Sequence, residues 1–358
     1  MRSTTLPSGL TTTRDRPACR RSARPTAARA IASSASRSAS VAGNVDARAD
    51  VADVLDGVPH VLADNVVPRI GVLAPESARA AVREVFLAHV IGGKHLSART
   101  DFTAMVRGAT PDLVLSGVEL LARGLDDAHP GVGDVVVVDV GGATTDVHSV
   151  VEIDPDTGLS EDGLAREVVA TTPVTRTVEG DLGMRWSAVT TVEQARVDLP
   201  EGPGAADGPD GLDGRALLDA ARRRQQEPAF LPGTEAERDD DERIARAAIG
   251  LALRRHAGRS RVVLSPEGRV VERSGKDLRE VGLVVGSGGV LRHGRPGVAA
   301  RVLAGSTGAD LVGGWQLPRS PEVVVDADYV LAAAGLLAGP HPVAAYRLAL
   351  RVRRGPGV

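Results

Sequence analysis

The chain has a single cysteine, Cys19, among 358 residues. An internal disulfide framework is therefore excluded. Aromatic residues make up only 2% of the sequence. A core built under that limit is aliphatic, and nucleic-acid binding by base stacking loses its main instrument. The eight histidines are scattered, with no HExxH and no Cys/His pairs at ligand spacing, so a structural zinc site is not expected. No apolar run reaches the ~18 residues that span a bilayer. A net charge of -3 gives no global field toward nucleic acid or an anionic membrane. The expectation is a cytoplasmic protein, a setting that scarce cysteine fits, with neither nucleic acid nor membrane as partner.

Hydrophobic residues, at 42%, suffice for a real core. The length accommodates two domains or one large one. Residues 1–40 stand apart, with eight arginines and one acidic residue, Asp15, in a background of Ser, Thr, Ala and Pro. Without hydrophobic periodicity the segment reads as disordered. Three roles stay open for it: an organelle leader, a start that lies outside the fold, or a nucleic-acid-binding tail.

Patterned sequence begins near Val41. Residues 59–68, PHVLADNVVP, read as a short strand or loop. Residues 75–93 predict a helix with Pro75 in its first turn, Glu76 at the positive end of the dipole and Gly92-Gly93 at its end. Its apolar face is Ala78, Val82, Val85, Phe86 and Val90. Lys94 and His95 follow as a solvated helix end or an anion contact. Leu113 to Leu125 predicts a second helix. Residues 150–156 and 165–174 read as extended segments, and residues 201–214 as a loop. The acidic run RDDDER (238–243) is expected to complement the N-terminus of an amphipathic helix over 244–259, closed by Gly258. RVVLSPEGRVVER (261–273) predicts a hairpin, and DADYVLAAAGLLAG (326–339) a capped, alanine-rich helix.

Two glycine-rich turns carry the chemistry. In VVVVDVGGATTDV (135–147), continuous valines predict a strand buried on both faces. Asp139 sits at its end and needs water, a metal ion or donors as partner. Gly141 and Gly142 leave the backbone free to turn tightly and offer N–H groups to an anion. Thr144 and Thr145 add hydroxyls, and Asp146 a second carboxylate. Two carboxylates beside an anion site make sense with Mg²⁺ and its waters between them and a phosphate. The alternative is a tight hairpin in which both aspartates hydrogen-bond to local N–H groups. About 145 residues on, VVGSGGVLRH (284–293) again breaks a buried strand into glycines: Gly286, Ser287, Gly288 and Gly289. It is neither a Rossmann fingerprint nor a P-loop.

In this order, DVGGATTDV resembles the second phosphate motif of the actin, sugar kinase and Hsp70 ATPase superfamily, and VVGSGGVL its adenosine motif. More narrowly, six stretches are together similar to the MutL-type proteins encoded with glutamate mutase. They are ADNVVP, ARAAVREVFLAHVI, DVGGATTDVHSV, TVEGDLGMRWSA, GKDLREVGLVVGSGGVL and DADYVLAAAGLLA. The resemblance covers residues 42 to 350. It implies an α/β, actin/Hsp70-like (ribonuclease H-like) ATPase fold with mixed sheets and two lobes around a nucleotide cleft. The segments would be a disordered 1–40, a first-lobe remnant at 41–133 and a second lobe at 134–358.

The resemblance further implies an ATP-binding accessory or reactivating chaperone for an adenosylcobalamin-dependent mutase, whose subunits are its partners. The chain would not itself be the mutase, and it has no cobalamin-binding DxHxxG motif. By carry-over, Asp139 and Asp146 hold magnesium, while Gly141, Gly142, Thr144 and Thr145 meet the phosphates. Gly286, Ser287, Gly288 and Gly289 meet the adenosine. Glu179, Asp181 and Arg185, in the TVEGDLGMRW stretch, are expected to form a salt-bridge network. The first phosphate motif expected at the start of such a chain is not found in residues 1–40. The first lobe is then incomplete, with weak ATP binding and impaired hydrolysis as the consequence. A non-catalytic docking module and a hydantoinase-type hydrolase are the alternative functions.

Overall fold

A computed structural model describes residues 39–69, 72–85, 110–152, 172–198, 214–265, 268–308 and 313–354. The expectations for residues 1–38, Lys94, His95 and the 201–213 loop fall outside the described residues. So do most of those for residues 150–156 and 165–174.

Near the N-terminal side, β1 (Ala39–Ala42) and β2 (His60–Ala63) pair in parallel around α1 (Arg48–Val54). Helix α2 (Glu76–Val85) packs on both strands. Of the expected apolar face, Ala78 and Val85 are half-buried and Val82 is exposed, with Ala81 buried beside them, while Phe86 and Val90 lie outside the described residues.

The main body starts with α3 (Thr110–Arg123) and a small ribbon of β3 (Gly124–Asp126) and β4 (His129–Pro130). The sheet strands β5 (Val135–Val140), β6 (Thr145–Val150) and β7 (Val174–Glu179) follow. Next come α4 (Ala188–Asp198), α5 (Gly214–Gln226) and α6 (Glu235–His256). The hairpin strands β8 (Arg259–Ser265) and β9 (Gly268–Ser274) pair antiparallel as expected. Strand β10 (Leu283–Ser287) leads to α7 (Gly289–Arg292) and α8 (Val298–Leu303). The body closes with β11 (Glu322–Val325), α9 (Val330–Leu337) and α10 (Pro342–Ala349).

The five-stranded sheet has the order β11-β10-β5-β6-β7. Strands β5, β10 and β11 are parallel, while β5, β6 and β7 are antiparallel to their neighbours. The architecture is α/β with a mixed sheet covered on both faces. On one face Val136, Val138, Val147 and Val284 pack with Ile244, Ala248 and Leu251 of α6. On the other, Val135, Val137 and Val285 pack with Val118 and Leu121 of α3 and with Leu331 and Ala334 of α9. Burial on both faces is why β5 reads as an unbroken valine run.

Helix α3, expected with residues 41–133, packs on α9, α10 and β6 and so belongs with the sheet. It crosses α9 at backbone contact. A Cβ at Gly117 would overlap the Leu331 carbonyl, and one at Gly335 the Leu113 carbonyl.

Helix α6 begins nine residues before the expected start. Thr234 caps it: its hydroxyl accepts from Glu237 N–H at 3.3 Å, and the Glu237 carboxylate accepts from Gly233 and Thr234 N–H. The acidic run is therefore part of the helix rather than a preface to it. Helix α5 had no sequence expectation. Leu217 and Ala221, one turn apart, give it its buried contact in the core.

Candidate functional site

Strands β5 and β10 run side by side and end together, with Asp139 opposite Ser287. The carboxyl ends of parallel strands are where an α/β sheet leaves room for ligands. Just beyond them Gly141, Gly142, Gly288 and Gly289 line one cleft of about 830 Å³. Turns far apart in sequence thus face the same space, with Asp139 between them. Gly288 has φ +106°, and a Cβ there would overlap the Val140 carbonyl oxygen. Only glycine makes that turn against the neighbouring strand.

The first turn is a tight hairpin: Gly141 N–H donates to the Thr144 carbonyl at 2.9 Å. It is held from behind by TVEGDLGMRW. Met184 N–H donates to the Gly141 carbonyl at 3.0 Å, and Arg185 N–H to the Gly142 carbonyl at 2.7 Å. Ser187 Oγ donates to the Ala143 carbonyl at 2.6 Å. With its carbonyls fixed this way, the turn is rigid before any ligand arrives. Sequence reasoning found no role for this stretch, because its partners lie some forty residues away.

The aspartates do not bond to local N–H groups as the plain hairpin alternative had it. Burial pushes the Asp139 carboxyl above the usual range, a hydrogen bond from Ser287 opposes this, and the nearby Asp146 and Asp326 charges add to it. Asp146 faces Asp139 across the β5–β6 ladder. Its Oδ1 accepts from Arg176 Nε at 3.0 Å and from a terminal guanidinium nitrogen at 2.7 Å. That cation offsets the like-charge pair. Asp326 accepts from Val330 and Leu331 N–H at 2.8 and 3.1 Å and so caps α9. Of the three carboxylates, only Asp139 lines the cleft.

The other candidates divide. Thr145 is fully buried and its hydroxyl donates to the Leu182 carbonyl at 3.0 Å, so it points away from the cleft. Its place on β6 alternates inward, a parity that a list of hydroxyls does not carry. Thr144 Oγ1 donates to Asp146 Oδ2 at 3.3 Å. Gly286 and Ser287 lie within β10, behind Gly288 and Gly289. The expected network of Glu179, Asp181 and Arg185 is re-partnered. Glu179 and Asp181 share Arg255, at 2.7 and 2.8 Å, whereas Arg185 reaches Asp241 at 3.7 Å.

Several cleft residues escaped the sequence reading. Tyr329 has φ +52°, and no other non-glycine residue among those described has a positive φ. It lines the cleft beside Gly288–Gly289, with the Arg292 guanidinium 4.7 Å from its ring centre. Such a backbone is costly for a bulky residue and clusters at functional sites. Glu242 and Arg295 also line the cleft and are ion-paired to one another. The Tyr-Val pair at 329–330 carried no signal in the sequence, and Tyr329 immediately precedes the two N–H groups that Asp326 caps.

Among the described residues no three His, Cys, Asp or Glu side chains are grouped to hold a metal. No helix among them is long and apolar enough to cross a membrane. The chain matches the family model described as MutL protein over residues 21–352. Protein MutL of Clostridium tetanomorphum is 35% identical over 314 residues, which make up 86% of this chain and 64% of that protein. The chain thus spans slightly less than two thirds of the length of the curated relative it matches. With the family match reaching across the cleft, its two glycine turns and the stretch that braces them, the chain belongs to the MutL protein family.

Proposed function

We propose that the chain binds ATP with Mg²⁺ in this cleft and serves as an accessory, reactivating protein for an adenosylcobalamin-dependent mutase such as glutamate mutase. The observation that carries the reading is the meeting of Gly141–Gly142 and Gly288–Gly289 around Asp139 in one cleft. Backbone N–H groups on a braced turn suit phosphate oxygens. Gly288, Gly289 and Tyr329 line the same cleft, where a tyrosine ring suits contact with a nucleobase. The strand order, three antiparallel strands followed by two parallel ones, supports one lobe of an actin/Hsp70-like fold. Membership of the MutL family supports the mutase as partner.

The residues present fit the metal. Asp139 is a desolvated carboxylate with two further carboxylates nearby, and its repulsion is relieved by a cation. Asp139 alone of the three lines the cleft, so it is the protein's contribution. One carboxylate plus waters and phosphates is the usual set for Mg²⁺. The ion supplies charge neutralisation at the phosphates. The chain's own part is to fix the turn, exclude side chains from it and place one carboxylate.

Thermal unfolding with and without Mg-ATP tests this, in the parent and in Asp139→Ala. Binding to the native state stabilises by about 2.7 kcal/mol at a hundredfold excess over Kd. A shift in the parent that Asp139→Ala loses supports the reading. No shift in a folded parent sinks it and favours the second reading, a docking module without nucleotide. Capture of a mutase subunit would support that module, and its absence would count against both.

A further inference from the structure

Beside the cleft, sharing Glu242 and Arg295 with it, lies a second pocket of about 550 Å³. Four arginines line it, Arg243, Arg246, Arg295 and Arg301, against two carboxylates, Asp239 and Glu242. Both carboxylates are engaged. Glu242 accepts from Arg295 Nε at 2.9 Å and from two nitrogens of Arg301 at 2.8 Å each. Asp239 accepts from Arg295 at 2.5 Å. Arg243 leans toward Asp240 at 3.6 Å. Arg246 differs: its Nε is buried without a hydrogen-bond partner among the described residues.

The arrangement has a sequence cause. Asp239, Glu242, Arg243 and Arg246 recur at three- and four-residue spacing, so one face of α6 carries them all. Arg295 and Arg301 arrive from the segment around α8 and take the two acids. Arg295 also pairs with Glu235 at 2.8 Å, so of the four lining arginines Arg246 stands out, its Nε unpaired among the described residues. Leaving such a group unsatisfied is unfavourable. An oxyanion in the pocket would meet the Arg246 guanidinium through its fork, which matches a phosphate or carboxylate.

We propose that this pocket binds the anionic group, phosphate or carboxylate, of a small organic ligand, with Arg246 as its principal contact. The volume exceeds that of a bare anion and falls within the range of small-molecule sites. The proposal stands apart from the nucleotide reading, because Arg246 does not line the cleft.

The test is thermal unfolding of the full chain at fixed ionic strength, with sodium phosphate or sodium succinate replacing chloride. The parent, Arg246→Met and Arg246→Lys are compared. The expected result is a saturable rise of about 2 °C or more in the parent, absent in Arg246→Met and smaller in Arg246→Lys. A rise with phosphate alone assigns a phosphate ligand; a rise with succinate alone assigns a carboxylate. No rise overturns the proposal. Equal rises in parent and Arg246→Met also overturn it, since they report salt exclusion from the surface or an anion on the glycine turns. If Arg246→Met does not fold, Arg246→Lys decides: a midpoint concentration raised threefold or more supports the site, and an unchanged one overturns it.

Discussion

The two faces of the central sheet are covered by different means. Toward α3 and α9 the contact is aliphatic and close, with Gly117 and Gly335 letting two helix backbones touch. Toward α6 the aliphatic core shades into buried polar pairs. Arg224, 1% exposed, pairs there with Asp241 and donates to the Ala220 and Glu237 carbonyls at 2.9 and 2.7 Å. His256 bridges Ser149 and Thr177 at 2.8 and 2.9 Å. The comparison separates two kinds of packing. The aliphatic face holds the sheet, while the polar face fixes α6, whose Asp241 and Glu242 reach the cleft.

The largest expected effect strikes the polar face. Arg224→Met leaves Asp241 buried with only a distant Arg185, and it should cost about 3–5 kcal/mol in urea unfolding. Adding Asp241→Leu should recover most of that loss. If the single variant costs under 1 kcal/mol, the polar pair does not hold α6 and the contrast between faces collapses. On the aliphatic face, Gly335→Val drives a side chain into the Leu113 carbonyl and should cost about 1–3 kcal/mol or more. A neutral outcome would mean that the helices separate without penalty.

Acid sharpens the comparison, since each face buries one histidine. Burial pushes His256 down to about 3, with Lys276 and His148 adding to the shift. On the α3 side, burial pushes His148 down to about 4, helped by Arg176 and opposed by Asp146. Both folded values lie below the unfolded value near 6.5. Each therefore contributes stability that is present above about pH 6.5 and lost as pH falls toward the folded value. Between pH 6.5 and 5 the loss should be up to about 2 kcal/mol for each. His256→Gln should flatten the profile by one histidine's share, and a profile that does not change would exclude His256 as a contributor.

The smallest effect has the opposite sign. The Asp139 carboxyl is raised, so its contribution is full at low pH and lost as pH rises through its folded value. At neutral pH Asp139→Asn should stabilise the free chain by about 0.5–1 kcal/mol while removing any Mg-ATP shift. Destabilisation by Asp139→Asn would mark the carboxylate as structural.

Much of the fold was legible in local pattern. The valine run gave β5, the Pro-Glu-Gly turn gave the β8–β9 hairpin, and the glycine breaks gave the ends of β5 and β10. Helix α6 was cut short because DDDE reads as solvent-facing, whereas Asp241 and Glu242 are buried against arginines from other elements. The two turns were legible from the local pattern, whereas their assignment to one cleft came from the resemblance and not from the pattern itself. Thr145 shows the limit. Its residue type suited phosphate, and strand parity turned it inward.

By itself the sequence determined that the valine run, the 261–273 hairpin and residues 284–287 are strands, where glycine must interrupt them, and that one carboxylate ends the first. Those are matters of local sterics and of apolar period. Tertiary structure alone decided that Asp139 stands beside Ser287 and that residues 184–187 brace the turn. It also decided that Arg176 claims Asp146 and that Arg246 Nε has no hydrogen-bond partner among the described residues. Such pairings depend on sheet order and on which helix face meets which strand, and no residue carries that information in its immediate neighbours.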